Sequence, residues 1–248
     1  MDFLNFTFNL DIFKCRNVKT PTKAWKAAGW DFFIPENLSI FDFTKSYKTY
    51  LDESIKHNKK VNYEVPLVFY LKSNRTQGEF KLKLVLSWNS NINEYEFKFC
   101  EKNEFDTNLL KVTEINDELM QWITENETVI SKIELLPHSK VLIPSGIHVR
   151  LPEGIFLNGS NKSGIASKRG LLIGAQTIDQ DYEGEIHINL MNPTNEHVFI
   201  AAGEKIVQFI PYFQPVMHDV VEYKSKEELY KDFNSERGEG GFGSSGIK

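Results

Sequence analysis

The stretch from Ile130 to about Val221 constrains the fold more than any other feature of the chain. Short apolar runs follow one another there (SKIELL, KVLIP, GIHVRL, EIHINLMN, HVFIAA and KIVQFIPYF). Between them stand turn residues: Pro137, Pro144-Ser-Gly, Pro152-Glu-Gly, Asn158-Gly and Pro193. None of the runs shows a helical period. Many short strands at close spacing build a sandwich, a jelly roll or a barrel. The segment is therefore expected to be mainly β, without a helix.

The block from about Leu38 to Glu127 has a different texture. Phe43, Tyr47, Tyr50, Leu51 and Ile55 fall on one helical face, with Asp42 placed to cap it. The strand-like runs VNYEVPLVFYLK, EFKLKLVLSW and EYEFKFC follow, the last alternating Tyr95, Phe97 and Phe99 with polar residues. Val112, Ile115, Leu119, Trp122 and Ile123 then mark a second amphipathic helix. This predicts a small α+β module whose aromatic stripes form its own core. At the far end, Arg237-Gly-Glu-Gly-Gly-Phe-Gly-Ser-Ser-Gly is too rich in glycine to pack as a strand or helix. A plain linker has no use for the aromatic ring or the arginine. An arm folding over a flat anionic ligand uses both.

Charge and cysteine content narrow the function. A net charge of −5 and a pI of about 5.8 exclude a protein that coats nucleic acid, but not one with a nucleotide substrate. Cys15 and Cys100 are too few for a disulfide framework and lack metal-ligand spacing. No apolar run approaches the ~20 residues of a membrane span. The N-terminal stretch has acidic residues where a secretory leader is basic. A cytoplasmic protein is expected, with no nucleic acid or membrane partner.

Four further segments belong with the tail: Ala27-Ala-Gly-Trp-Asp-Phe-Phe, Asn161-Lys-Ser-Gly-Ile-Ala-Ser-Lys-Arg-Gly-Leu, Gly174-Ala-Gln-Thr-Ile-Asp-Gln-Asp-Tyr-Glu-Gly-Glu-Ile and Gly203-Glu-Lys-Ile-Val-Gln-Phe-Ile-Pro. Alone, each reads as an ordinary turn. Together, in this order, they resemble the five motifs of the trimeric dUTPase family, over about residues 21–34 and 130–248. The third and fifth are the most specific.

The resemblance implies a dUTPase-like jelly-roll or β-barrel core in two parts, 1–37 and 128–232. An α+β insertion occupies 38–127, and a mobile arm, 233–248, closes the active site. It implies Mg²⁺-dependent hydrolysis of dUTP to dUMP and pyrophosphate by a homotrimer with shared sites. That activity limits uracil incorporation into DNA and supplies dUMP for thymidylate synthesis. Phosphoanhydride hydrolysis needs charge neutralisation, an in-line water and a base to orient it. By the resemblance, Asp31 supports the hydrated metal and Asp179 holds the attacking water. Gln208, Lys162, Ser163 and Gly164 face the phosphates. Backbone groups of a hairpin around Ala175, Gln176, Thr177 and Ile178 meet the uracil edge, and Tyr182 presses on the deoxyribose. In the arm, Phe242 stacks on the base and Arg237 pairs with the γ-phosphate. Gly241, Gly243, Ser244 and Ser245 complete an anion nest.

Three departures from the family pattern stand out. Lys162 replaces an arginine and so loses the bidentate fork. Gln176 stands where glycine is usual, and the 38–127 block separates the first two motifs. A dCTP deaminase of the same fold carries a general-base glutamate where this chain has Asn189, which cannot shuttle protons. Two alternatives stay open: a dCTP/dUTP pyrophosphatase, and a nucleotide-gated regulatory protein that binds a partner through the insertion. A phage origin, with action in the host cytoplasm, fits such an added module.

Overall fold

A computed structural model describes residues 9–40, 42–43, 63–73, 75, 79–89, 94–101, 111–114, 121, 123–214 and 220–232. Contacts divide the chain into two units, residues 1–214 and 215–248. The regular elements described in the first are almost all antiparallel strands. β1 (Asp11–Lys14) pairs with β9 (Ile147–Arg150). A four-stranded sheet runs in the order β12 (Thr177–Ile178), β10 (Ile155–Asn161), β15 (Lys205–Phe213), β2 (Trp30–Phe33). A three-stranded sheet runs β11 (Leu172–Gly174), β13 (His187–Asn192), β8 (Ser139–Pro144). The mainly β architecture anticipated from the turn spacing is what the chain adopts.

A fourth sheet has six strands, in the order β14 (Val198–Ala201), β7 (Val129–Leu135), β3 (Tyr63–Lys72), β4 (Glu79–Asn89), β5 (Glu94–Glu101), β6 (Lys111–Glu114). Its first two strands belong to the C-terminal half of the chain and the other four to the 38–127 block. The join is the β3–β7 ladder, where Leu67 faces Leu135 and Phe69 faces Ile133. Period-2 alternation sends Leu67, Phe69 and Leu71 to one face, and all three are buried in the cluster that also holds Leu135, Ile200 and Phe43. The Phe43 and Phe69 rings lie 5.0 Å apart.

Some sequence expectations change. The segment expected to lack helices contains α1 (Ser163–Arg169), closed by Gly170 in the left-handed conformation. It buries none of its residues, so it has no apolar stripe to betray it. Val112 does not start a helix. It sits in β6 opposite Cys100, and among the described residues of this expected helix, helical backbone is found around Ile123. Asp42 spends its carboxylate on Arg16 and on the Ser39 N–H. Most of the first expected helix, from Phe43 to Ile55, lies outside the described residues, as does the arm. In the second unit, α2 (Lys226–Leu229) is capped by Ser225, whose hydroxyl accepts the Glu228 N–H. Among the described residues no helix is long and apolar enough to cross a membrane.

Candidate functional site

Asp31 is the point at which three of the sequence segments meet. It lies on β2, an edge strand, with Gln208 of β15 opposite, and Gln208 faces Ser160 of β10 in turn. Phe32, the next residue, turns to the other face and packs edge-on against Phe209, with ring centroids 4.7 Å apart. This alternation puts the apolar ring in the core and leaves the carboxylate on the opposite face. Gly29 allows the approach, because a Cβ there would meet the Phe209 carbonyl oxygen at 2.2 Å. The Gln208 side-chain amide donates to the Gly29 carbonyl at 3.4 Å.

Both oxygens of Asp31 are paired. Lys162 Nζ lies 2.6 Å from one and Lys205 Nζ 3.4 Å from the other. Lys162 precedes α1, so the pair ties the second segment to the first. Lys205 was not singled out in the sequence. The cue was a lysine opening a strand whose next two residues are fully buried, which directs a lone charge at the strand mouth. Ser163 and Gly164 are exposed in the first turn of α1, which has no side-chain cap and no acidic residue. Two ammonium groups therefore flank one carboxylate.

The third segment forms the opposite edge of the same sheet. Thr177 and Ile178 pair with Asn158 and Leu157 of β10, and Asp179 and Tyr182 follow in an exposed loop. The expected hairpin around Gly174–Ile178 is instead a corner between sheets, since β11 pairs with β13 and β12 with β10. Ala175 makes that corner with a φ of 45°. The Gln176 carbonyl accepts the Gly159 N–H, and its side-chain amide donates to the Ile173 carbonyl. The Ile178 side chain serves the core. Tyr182 donates its hydroxyl to the Glu185 carbonyl at 2.9 Å. Gly184 permits this, because a Cβ there would meet the Tyr182 oxygen at 2.4 Å.

Asp31 and Asp179 therefore belong to opposite edges of a four-stranded sheet, three strand spacings or about 14 Å apart across it. One chain does not bring them together. Arg237, Gly241, Phe242, Gly243, Ser244 and Ser245 lie outside the described residues. Among the described residues, no group of three or more His, Cys, Asp or Glu side chains is arranged to hold a metal. Mg²⁺ does not require one, since it is bound by one or two carboxylates together with substrate phosphates and water. Asp31 fits that pattern.

A sheet edge that carries a carboxylate, two lysines and a glutamine defines an antiparallel β protein with a polar, phosphate-compatible site. A dUTPase family model matches residues 128–246. The chain is 38% identical over 118 residues to the deoxyuridine 5'-triphosphate nucleotidohydrolase of Hydrogenobaculum, covering 47% of this chain and 77% of that protein. It is 35% identical over 125 residues to the enzyme of the same name from Finegoldia magna, covering 50% and 79%. A dUTPase of Staphylococcus bacteriophage 80alpha superposes with a TM-score of 0.48 at 19% identity, covering 97% of this chain and all of that one. The chain belongs to the dUTPase family.

Proposed function

We propose that the protein hydrolyses dUTP to dUMP and pyrophosphate, using Mg²⁺. Membership of the dUTPase family supports this. The observation that carries it at the level of residues is the meeting of Asp31, Lys162, Lys205 and Gln208, which come from three separated segments. When bound, Mg²⁺ supplies neutralisation of the triphosphate charge. Asp31 is the carboxylate that would hold it, and Lys162 and Lys205 would offer their charges to the phosphate oxygens. Gln208 and the N–H groups of Ser163 and Gly164 offer neutral donors where charge grows on the phosphates. Asp179 orients and deprotonates the attacking water. Tyr182 lies against the deoxyribose and leaves no room for a 2′-hydroxyl. Backbone groups of Ala175, Thr177 and Ile178 meet the base edge beside Gln176.

Because Asp31 and Asp179 lie at opposite sheet edges, a complete site draws them from different subunits, and a homotrimer is the assembly proposed. Residues 233–248 act as the closing arm, in which Arg237, Gly241, Phe242, Gly243, Ser244 and Ser245 meet the triphosphate and base. Residues 38–127 are an insertion between the first two motifs and the place for a protein partner. The reaction takes place in the cytoplasm, where its substrate is made.

The test is pyrophosphate release from a panel of deoxynucleoside triphosphates and UTP, with and without Mg²⁺. Turnover is expected with dUTP and Mg²⁺. Asp179→Asn should lower kcat by roughly 10²–10⁴-fold, the usual worth of a positioned base. Preferential turnover of dCTP, or normal turnover by Asp179→Asn, overturns the reading.

A further inference from the structure

Outside the cluster around Asp31, Arg16 is a fully satisfied charged group among the described residues. All three guanidinium nitrogens are used. Nε and one terminal nitrogen grip the two oxygens of Glu185 at 2.7 and 3.1 Å, and the other terminal nitrogen reaches Asp42 at 2.7 Å. The three side chains are largely shielded, with exposures of 22%, 14% and 18% for Arg16, Glu185 and Asp42. Glu185 also accepts the Gly146 N–H at 2.7 Å, and Asp42 the Ser39 N–H at 2.8 Å. Burial alone pushes the Glu185 carboxyl up. The Arg16 hydrogen bonds, the Gly146 N–H and the Arg16 charge outweigh it, leaving the group below its ordinary value of 4.5. A half-exposed pair at a surface contributes little to stability. A planar fork bound on both arms and anchored from behind fixes direction as well as charge.

What it fixes is the loop that carries Tyr182. The backbone carbonyl of Glu185 accepts both the Tyr182 hydroxyl, at 2.9 Å, and His187 Nδ1, at 2.8 Å. The loop is also tied at Gln180, which accepts the Gly154 N–H, and at the Glu183 carbonyl, which accepts His148 Nδ1; the Glu185 carboxylate is its ion-paired tether, and the Glu185 carbonyl sets the direction of the tyrosine ring. We infer that Arg16 is a positioning residue for sugar recognition: braced on Asp42, it clamps Glu185 and so holds the Tyr182 ring where it meets the deoxyribose. The inference rests on the proposed role of Tyr182. It adds a residue from the N-terminal segment, outside all five motifs, to the specificity of the reaction. It also ties the sugar pocket to Asp42, at the root of the 38–127 block.

The experiment compares the full-length protein with Arg16→Met, Arg16→Lys and the double variant Arg16→Met with Glu185→Gln. Steady-state kcat and KM are measured for dUTP and for UTP, and amide hydrogen exchange is followed over residues 179–186. Arg16→Met should raise KM for dUTP more than it lowers kcat and reduce the preference for dUTP over UTP by ~10-fold or more. Exchange in the loop should quicken. Arg16→Lys keeps the charge without the fork and should fall between wild type and Arg16→Met. The double variant should recover part of the preference, since the neutral amide introduced by Glu185→Gln leaves no unpaired charge yet can still accept the Gly146 N–H. A lowered melting temperature with unchanged preference and unchanged exchange would reduce Arg16 to a structural ion pair and overturn the proposal. If Arg16→Met does not fold, an unchanged preference in Arg16→Lys overturns it instead. A wild-type protein inactive on dUTP defeats the proposed function, whereas hydrogen exchange still decides whether Arg16 holds the loop.

Discussion

Placing a methyl group at Gly184 separates stability from activity more cleanly than any other single change. In the native loop the Cβ of Gly184→Ala would sit 2.4 Å from the Tyr182 oxygen, 2.5 Å from Cζ and 2.9 Å from Cε2. Ordinary contact begins at 3.4 Å, so the ring must retreat by about 1 Å and give up its hydrogen bond to Glu185. The ring is 42% exposed and swings away into solvent. The loss of stability is then no more than one hydrogen bond, ~0.5–1.5 kcal/mol, or a few degrees of melting temperature for a chain of this size. Catalysis depends on position far more steeply, and a misplacement of 1 Å costs up to ~10²-fold. The expected result is a dUTP kcat/KM reduced by roughly 10- to 100-fold, with UTP turnover much less affected. Calorimetry and a pyrophosphate-release assay on the same preparation suffice. Wild-type kinetics with both substrates would show that the ring need not occupy its observed place, and the account of Tyr182 would fail.

Other outcomes test separate parts of the structure. Phe69→Ala empties a fully buried site beside Phe43 and should destabilise the protein by about 3–5 kcal/mol in denaturant unfolding; a loss under about 1 kcal/mol would mean that β3 does not share the common core. Burial alone would raise the Glu134 carboxyl, but hydrogen bonds from His197 and Tyr70 and the charge of Lys81 hold it below 4.5. Its contribution to stability is therefore complete above about pH 4.5 and lost as pH falls through the lower folded value. Melting temperature against pH should show a shallower acid limb in Glu134→Gln than in wild type, and coincident limbs would contradict this. Phe242→Ala should weaken productive dUTP binding by roughly 5- to 150-fold, the worth of one base–aromatic stack; a silent substitution would remove the arm from the site.

Strands were legible because each signals itself locally. In β8 and β13 buried and more exposed positions alternate, and Pro, Gly and Asn residues mark the ends. The helix Ser163–Arg169 gave no such signal, since it buries no residue fully and only Ile165 leans on the core. Partnership between strands was not legible either. The run VNYEVPLVFYLK read as a strand of a separate module, and nothing in its spacing names β7 as the neighbour. The motif residues were found by resemblance, whereas the ion pairs that hold them were not. Arg16 and Glu185 are 169 positions apart, and Lys162 and Asp31 are 131 apart, so neither pair leaves a pattern in a short window.

The pairing of β2 with β15 also sets when the site can first exist. The hydrogen bond from Gln208 to Gly29 joins residues 179 positions apart. At a ribosomal pace of ~5–20 residues per second, β2 waits roughly 10–35 s for the strand that receives it. Throughout that interval Phe32, which ends fully buried, has no Phe209 to pack on. A nascent chain thus carries Asp31 on a strand that lacks its β15 partner until synthesis is nearly complete, and the 38–127 block lengthens the interval in which that strand needs protection from aggregation.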